Sequence, residues 1–183
     1  MLKHENTIFT LVDVQQKLTA VMHNRQELVA NLVKLVKGLR LLNIPVIWME
    51  QLPAKMGPTI PELTQLLQDS TPIEKSSFSC YGSEDYIQTL KKSRCSHVIL
   101  AGIETHVCIY QTAVELIHNG YTVEVVVDAT SSRNPSDKTT AIEKITHPSI
   151  SGMATRTTTE MLLFELMSTA DHPAFRDILK IVK

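Results

Sequence analysis

Cys108 stands in the run Ala101-Gly-Ile-Glu-Thr-His-Val-Cys108, where an apolar stretch over 97–102 gives way to a helical pattern over 108–119. A thiol at the start of a helix sits among unpaired backbone N–H groups, at the positive end of the helix dipole. Both favour thiolate, the nucleophilic form of sulfur. Two charged residues occupy comparable places: Asp13 closes TIFTLV-D, and Lys75 lies in TPIEKSSFS. A carboxylate can take the thiol's proton, and an ammonium can keep that carboxylate ionised and oriented. Nucleophile, base and orienting group together follow the logic of a catalytic triad in different residue types. Each residue also has a plainer reading: a buried structural cysteine, a turn-forming aspartate, a solvated lysine. What favours chemistry is that all three fall at the ends of apolar runs.

Those runs define the elements that must position the three residues. Segments 7–12 (TIFTLV), 44–50 (IPVIWME), 71–77 (TPIEKSS), 97–102 (HVILAG), 122–129 (TVEVVVDA) and 154–159 (ATRTTT) read as six short strands. Helical spacing runs from Asn24 to Leu42, through Leu28, Leu32, Leu35, Val36 and Leu39. Further helices are predicted over 63–69, 83–93 with Ser83 as N-cap, 108–119 with Gly120 as C-cap, 135–146 and 160–168. Between them, QLPAKMGPTIPEL (51–63) carries three prolines and a glycine and is the longest irregular connection. Buried strands alternating with helices predict an α/β fold: a six-stranded parallel sheet covered on both faces, in three layers. With no linker, repeat or low-complexity stretch, residues 1–183 read as one domain. In such sheets ligands bind beyond the carboxyl ends of the strands, which is the edge that carries Asp13, Lys75 and Cys108.

Composition narrows the partners. The formal net charge is −1, from 18 Lys and Arg against 19 Asp and Glu. Such a balance provides no general attraction for nucleic acid or an anionic membrane, so a small-molecule substrate is expected. No apolar run approaches the ~20 residues that span a bilayer. The short stretch before the first strand leaves no room for a signal peptide, and Cys80, Cys95 and Cys108 form no disulfide framework. A cytoplasmic protein is therefore expected. No cysteine and histidine spacing suits zinc, and neither GxGxxG nor GxxxxGK[ST] occurs, so no metal or cofactor is predicted.

The pattern LVDVQ, then EKSSFSC, then AGIETHVC with Thr112 following, resembles the isochorismatase-like cysteine hydrolase superfamily. The resemblance covers essentially the whole chain, including VVVDATSSR (125–133), and the EQLP turn and HPAF tail look most like its isochorismatase-domain-containing subgroup. It implies a three-layer α/β/α fold, a homo-oligomer, and Asp13, Lys75 and Cys108 as the catalytic residues. It also implies a non-proline cis peptide at Ile103–Glu104, and an oxyanion hole made by the N–H groups of Glu104 and Cys108. Two departures bear on the substrate. Nicotinamidases of the family hold a metal with an Asp-x-His pair and a further histidine, whereas 50–63 has neither histidine nor aspartate. True isochorismatases replace the cysteine by a small residue, whereas Cys108 is present here.

The reading is hydrolysis of a small amide through a Cys108 thioester; the alternative is a catalytically weak assembly or interaction module of the same fold. Phe78, three residues beyond Lys75, is the foremost candidate for the substrate pocket, and Gln16 is a weaker one. Trp48, Tyr81 and Tyr110 line either the pocket or the core. Glu50 is a substrate contact or a partner for Lys55, Thr105 a helix cap, and His106 a capping or solvent-facing residue.

Overall fold

The computed structural model describes residues 2–148 and 153–183. Its centre is a six-stranded parallel sheet built from β1 (Thr7–Val12), β2 (Val46–Gln51), β3 (Ile73–Lys75), β4 (His97–Ile103), β5 (Thr122–Ser131) and β6 (Ala154–Thr157). The strands lie in the order β3-β2-β1-β4-β5-β6. Each parallel neighbour must be reached by a crossover, and helices supply these. They are α1 (Gln16–Thr19), α2 (Arg25–Leu41), α3 (Pro53–Met56), α4 (Pro61–Thr64), α5 (Glu84–Ser93), α6 (Tyr110–His118) and α7 (Pro135–Ile145), while α8 (Thr159–Met167) and α9 (Phe175–Val182) follow β6 and pack against the sheet.

The period-two pleat sorts one strand's apolar residues to two cores. All six residues of β1 are buried. Phe9 and Leu11 join Leu32, Leu35 and Leu39 of α2, Leu162 and Leu166 of α8, and Ile178 of α9. Ile8 and Val12 point the other way, toward Tyr86 and Leu90 of α5, Ala113 and Leu116 of α6, and Ile142 of α7. A strand packed on both faces has no polar side to alternate with, which is why β1, β4 and β5 read as continuous apolar runs.

Local boundaries follow local chemistry. Asn43 takes φ +55 where α2 ends, a conformation that asparagine tolerates better than most residues. Gly120, at φ +85, follows the α6 cap residue Asn119. Ser83 stands at the N-cap of α5 but makes no side-chain cap hydrogen bond. The helix expected over 63–69 lies earlier, at Pro61–Thr64, because Pro61 takes the first helical position, where its missing N–H costs nothing. Asp13 is followed almost at once by α1, a turn too short for periodicity to show.

The order places β1 and β4 side by side, with Val12 opposite Gly102. The connection leaving β1 returns to β2 on one side, and the chain leaving β4 goes to β5 on the other. Beyond their carboxyl ends the sheet therefore has a switch point, where a crevice opens.

Candidate active site

Three strand ends feed this crevice. Asp13 is the first residue beyond β1, with φ +51, and its N–H donates to Met49 O at 3.2 Å. Lys75 ends β3 opposite Gln51. Cys108 follows β4 in a π-helical turn, Thr105–Ile109, that precedes α6. The thiol expected at the first position of an α-helix thus sits inside a wider turn.

Lys75 and Asp13 meet as a buried ion pair. Lys75 Nζ donates to Asp13 Oδ2 at 2.7 Å, and both side chains are fully removed from solvent. An ammonium so placed needs every proton accepted. Gln51 Oε1 at 2.6 Å, Phe78 O at 3.0 Å and Ser77 O at 3.2 Å complete its shell. Burial works hardest against the charged ammonium, but the Asp13 carboxylate together with the Cys80 and Cys108 sulfurs overcomes it and holds Lys75 above its ordinary value. Burial likewise pushes the Asp13 carboxyl up, against the opposing effects of Lys75 and the Cys108 thiol. Asp13 Oδ1 is buried and has no hydrogen-bond partner among the described residues. One oxygen of this carboxylate is engaged, and the other is left for a proton.

The Cys108 thiol is pushed well above the ordinary cysteine range, first by burial and then by the Asp13 carboxylate, with Lys75 opposing. The sequence-based expectation of a resting thiolate is therefore corrected. A neighbouring carboxylate and a dry surrounding outweigh a helix end, whose influence is spent within one turn. A protonated thiol beside a carboxylate with a spare oxygen can still act as a nucleophile, by losing its proton as it attacks. Cys80, fully buried, is pushed up to about 12 by desolvation.

The glycine before the turn is dictated by space. Gly102 has φ +123, and a Cβ there would lie 2.1 Å from Val12 O. Only glycine lets β4 approach the end of β1 this closely. The next peptide bond, Ile103–Glu104, is cis.

Other expected residues are placed differently. Phe78 has a 55% exposed side chain, and its carbonyl accepts from Lys75 Nζ. Gln16 is exposed, whereas its neighbour Gln15 is wholly buried and braces the site. Gln15 accepts from Gln51 N at 2.8 Å, and donates to Gln51 O at 3.1 Å and Gly57 O at 2.6 Å. Glu50 does not reach Lys55; its Oε1 accepts from Thr59 N and Oγ1 at 2.6 and 2.7 Å. Trp48 belongs to the core, Tyr81 packs edge-on against Tyr121, and Tyr110 lies under Lys144. Thr105 Oγ1 is buried with no partner among the described residues, so it caps nothing. His106 is half-buried, and its Nδ1 is hydrogen-bonded to Ser132 Oγ at 3.0 Å. Gln51 is marked in the sequence by ending the second apolar run on the active edge, whereas the neutral amide of Gln15 has only its place two residues beyond Asp13 as a signal. Among the described residues no three His, Cys, Asp or Glu side chains gather as metal ligands would. Nor is any helix among them long and apolar enough to cross a membrane.

Comparison with known proteins agrees with this architecture. Residues 7–161 match the isochorismatase domain. Isochorismatase domain-containing protein 2A of Mus musculus is 37% identical over 184 residues, covering 98% of this chain and 84% of that protein. Among solved structures, the MAR1 ribonuclease of Caenorhabditis elegans superposes with a TM-score of 0.89 at 34% identity, over 99% of this chain and 91% of that one. The YcaC gene product of Escherichia coli, described as an octameric hydrolase of unknown specificity, shares the fold at TM-score 0.86 and 23% identity, over 98% of this chain and 94% of that one. With the family's domain matching most of its length, and relatives this similar across almost all of it, this chain belongs to the isochorismatase family.

Proposed function

We propose that this protein is a cysteine hydrolase that cleaves the C–N bond of a small amide through a thioester on Cys108. The observation that carries the reading is the divided Asp13 carboxylate, with Oδ2 held by Lys75 and Oδ1 unengaged beside a protonated thiol. A carboxyl raised by burial is a stronger base than an ordinary one, which narrows its gap to the thiol.

The steps balance as follows. The Cys108 proton passes to Asp13 as sulfur adds to the substrate carbonyl. The resulting oxyanion is received by the N–H groups of Glu104 and Cys108, each worth about 3 kcal/mol in the transition state. Asp13 returns the proton to the departing amine as the C–N bond breaks, leaving a thioester. Water then gives a proton to Asp13 and its oxygen to the thioester carbonyl. The C–S bond breaks, the acid leaves, and the thiolate regains its proton from Asp13. Lys75 stays protonated throughout and holds the carboxylate in place.

The test is single-turnover acylation by a panel of small amides and activated esters, followed by intact mass. The expected result is one acyl group, on Cys108, absent from Cys108→Ala and at least a hundredfold slower in Asp13→Asn. A chain that no compound of this panel ever acylates would instead be an assembly module. The name of the nematode relative raises RNA cleavage as a second activity. A net charge of −1 gives no field for a phosphate backbone, and intact RNA after prolonged incubation is expected. The same reading has the chain working as a cytoplasmic homo-oligomer. Phe78 and Leu52, exposed apolar side chains on segments that contact Lys75, support a second copy covering the crevice, and light scattering tests it.

A further inference from the structure

Glu104 is the single residue between β4, which ends at Ile103, and the π-helical turn, which starts at Thr105. Neither the sheet ladder nor the turn contains it, yet two of its three handles are fixed. Its carbonyl accepts from Val107 N at 3.1 Å and Ile109 N at 3.2 Å. Its carboxylate Oε2 accepts from both the backbone N–H and Nε of Arg133, at 3.2 and 3.1 Å. The far side of this chelate is firm as well. Ser131 Oγ donates to His23 O at 2.8 Å, and His23 N donates to Ser132 O at 3.1 Å. Ser132 is wholly buried and hydrogen-bonds His106, so two consecutive residues at the end of β5 grip residues 104 and 106.

This grip contributes little to stability. The Arg133 side chain is 61% exposed, and ion pairs of that kind are worth little against unfolding. What it does is orient. With the carbonyl and the side chain of Glu104 both held, its Cα is fixed at the junction of β4 and the turn, and with it the nitrogen that carries the N–H.

We propose that the Glu104 carboxylate, chelated by Arg133, is a positioning group that aims the Glu104 amide at the substrate carbonyl oxygen. The proposal rests on the hydrolase reading above and deepens it. It assigns the end of β5 a part in transition-state stabilisation that neither residue's type would suggest. Glu104 donates to substrate through its backbone, and its side chain acts only through that backbone.

The experiment exploits two probes of the same sulfur. Acylation of Cys108 by p-nitrophenyl acetate passes through a tetrahedral oxyanion and releases p-nitrophenolate. Alkylation by iodoacetamide displaces iodide and forms no oxyanion. Glu104→Ala keeps the amide N–H and removes its anchor. It is expected to slow acylation by roughly ten- to a hundredfold and to leave alkylation within about twofold. Arg133→Ala, which keeps the backbone N–H bond to Oε2, should give a smaller loss of the same kind, and Arg133→Lys should restore part of it. Equal slowing of both reactions would overturn the proposal, because the change would then lie in the nucleophile. Unchanged acylation in Glu104→Ala would overturn it while leaving the hydrolase reading intact. A wild-type chain that p-nitrophenyl acetate never acylates would remove both together. Should Glu104→Ala fail to fold, the exposed Arg133 pair of variants decides alone.

Discussion

Lys75 Nζ and Asp13 Oδ2 lie 2.7 Å apart across two strand ends, with both side chains wholly withdrawn from water. They stand 62 positions apart in the chain, and neither charge would be tolerable alone in that place.

Removing one partner should therefore cost far more than removing both. Lys75→Met leaves a buried carboxylate unpaired and is expected to lose about 3–5 kcal/mol in urea unfolding. The double variant Lys75→Met with Asp13→Asn should recover most of that loss. Additive losses would mean that the pair contributes no coupling.

Alkaline stability follows from the sign of the Lys75 shift. Its folded value lies above the ordinary 10.5 because the Asp13 carboxylate and the Cys80 and Cys108 sulfurs together overcome the burial that opposes them. The folded state therefore holds the proton more tightly than the unfolded one. The resulting stabilisation is fully present below 10.5 and is lost as pH climbs through the folded value. Urea midpoints measured as pH climbs past 10.5 should fall more steeply for the wild type than for the double variant.

The Cys108 thiol, raised by burial and by Asp13, should alkylate slowly at neutral pH and keep gaining rate beyond 9.0, where an ordinary cysteine begins to level off. Iodoacetamide kinetics across the alkaline range read this directly. A plateau already reached near neutrality would show a resting thiolate and contradict the electrostatics of the site.

Gln51 links the strand end to the ammonium, accepting from Lys75 at 2.6 Å and donating to Ser76 O at 2.8 Å. Gln51→Leu removes both bonds and is expected to cost about 1–3 kcal/mol. It should also slow Cys108 acylation, since a loosened Lys75 no longer fixes Asp13. Wild-type acylation in a destabilised variant would confine Gln51 to a structural part.

Gly102→Ala would drive a Cβ into Val12 O, one residue before Asp13, at a φ of +123 that side chains rarely adopt. A loss of about 3 kcal/mol or more is expected in thermal or urea unfolding. A variant as stable as the wild type would mean that β1 and β4 can separate without cost.

The sequence by itself determined the layered α/β architecture and the three strand ends. Apolar runs such as HVILAG and the leucine spacing of α2 record burial, and burial is written residue by residue. It also marked Asp13, Lys75 and Cys108, because charge or thiol at the end of such a run is conspicuous. Only the tertiary structure decided what those groups are. The protonated state of Cys108 comes from desolvation and from a carboxylate 95 positions away in the chain. The bracing of the site by Gln15 and Gln51, and of Glu104 by Arg133, joins residues that share no spacing rule. Hydrogen bonds and electrostatic fields act through space, and a linear pattern registers only the contacts that recur along one element.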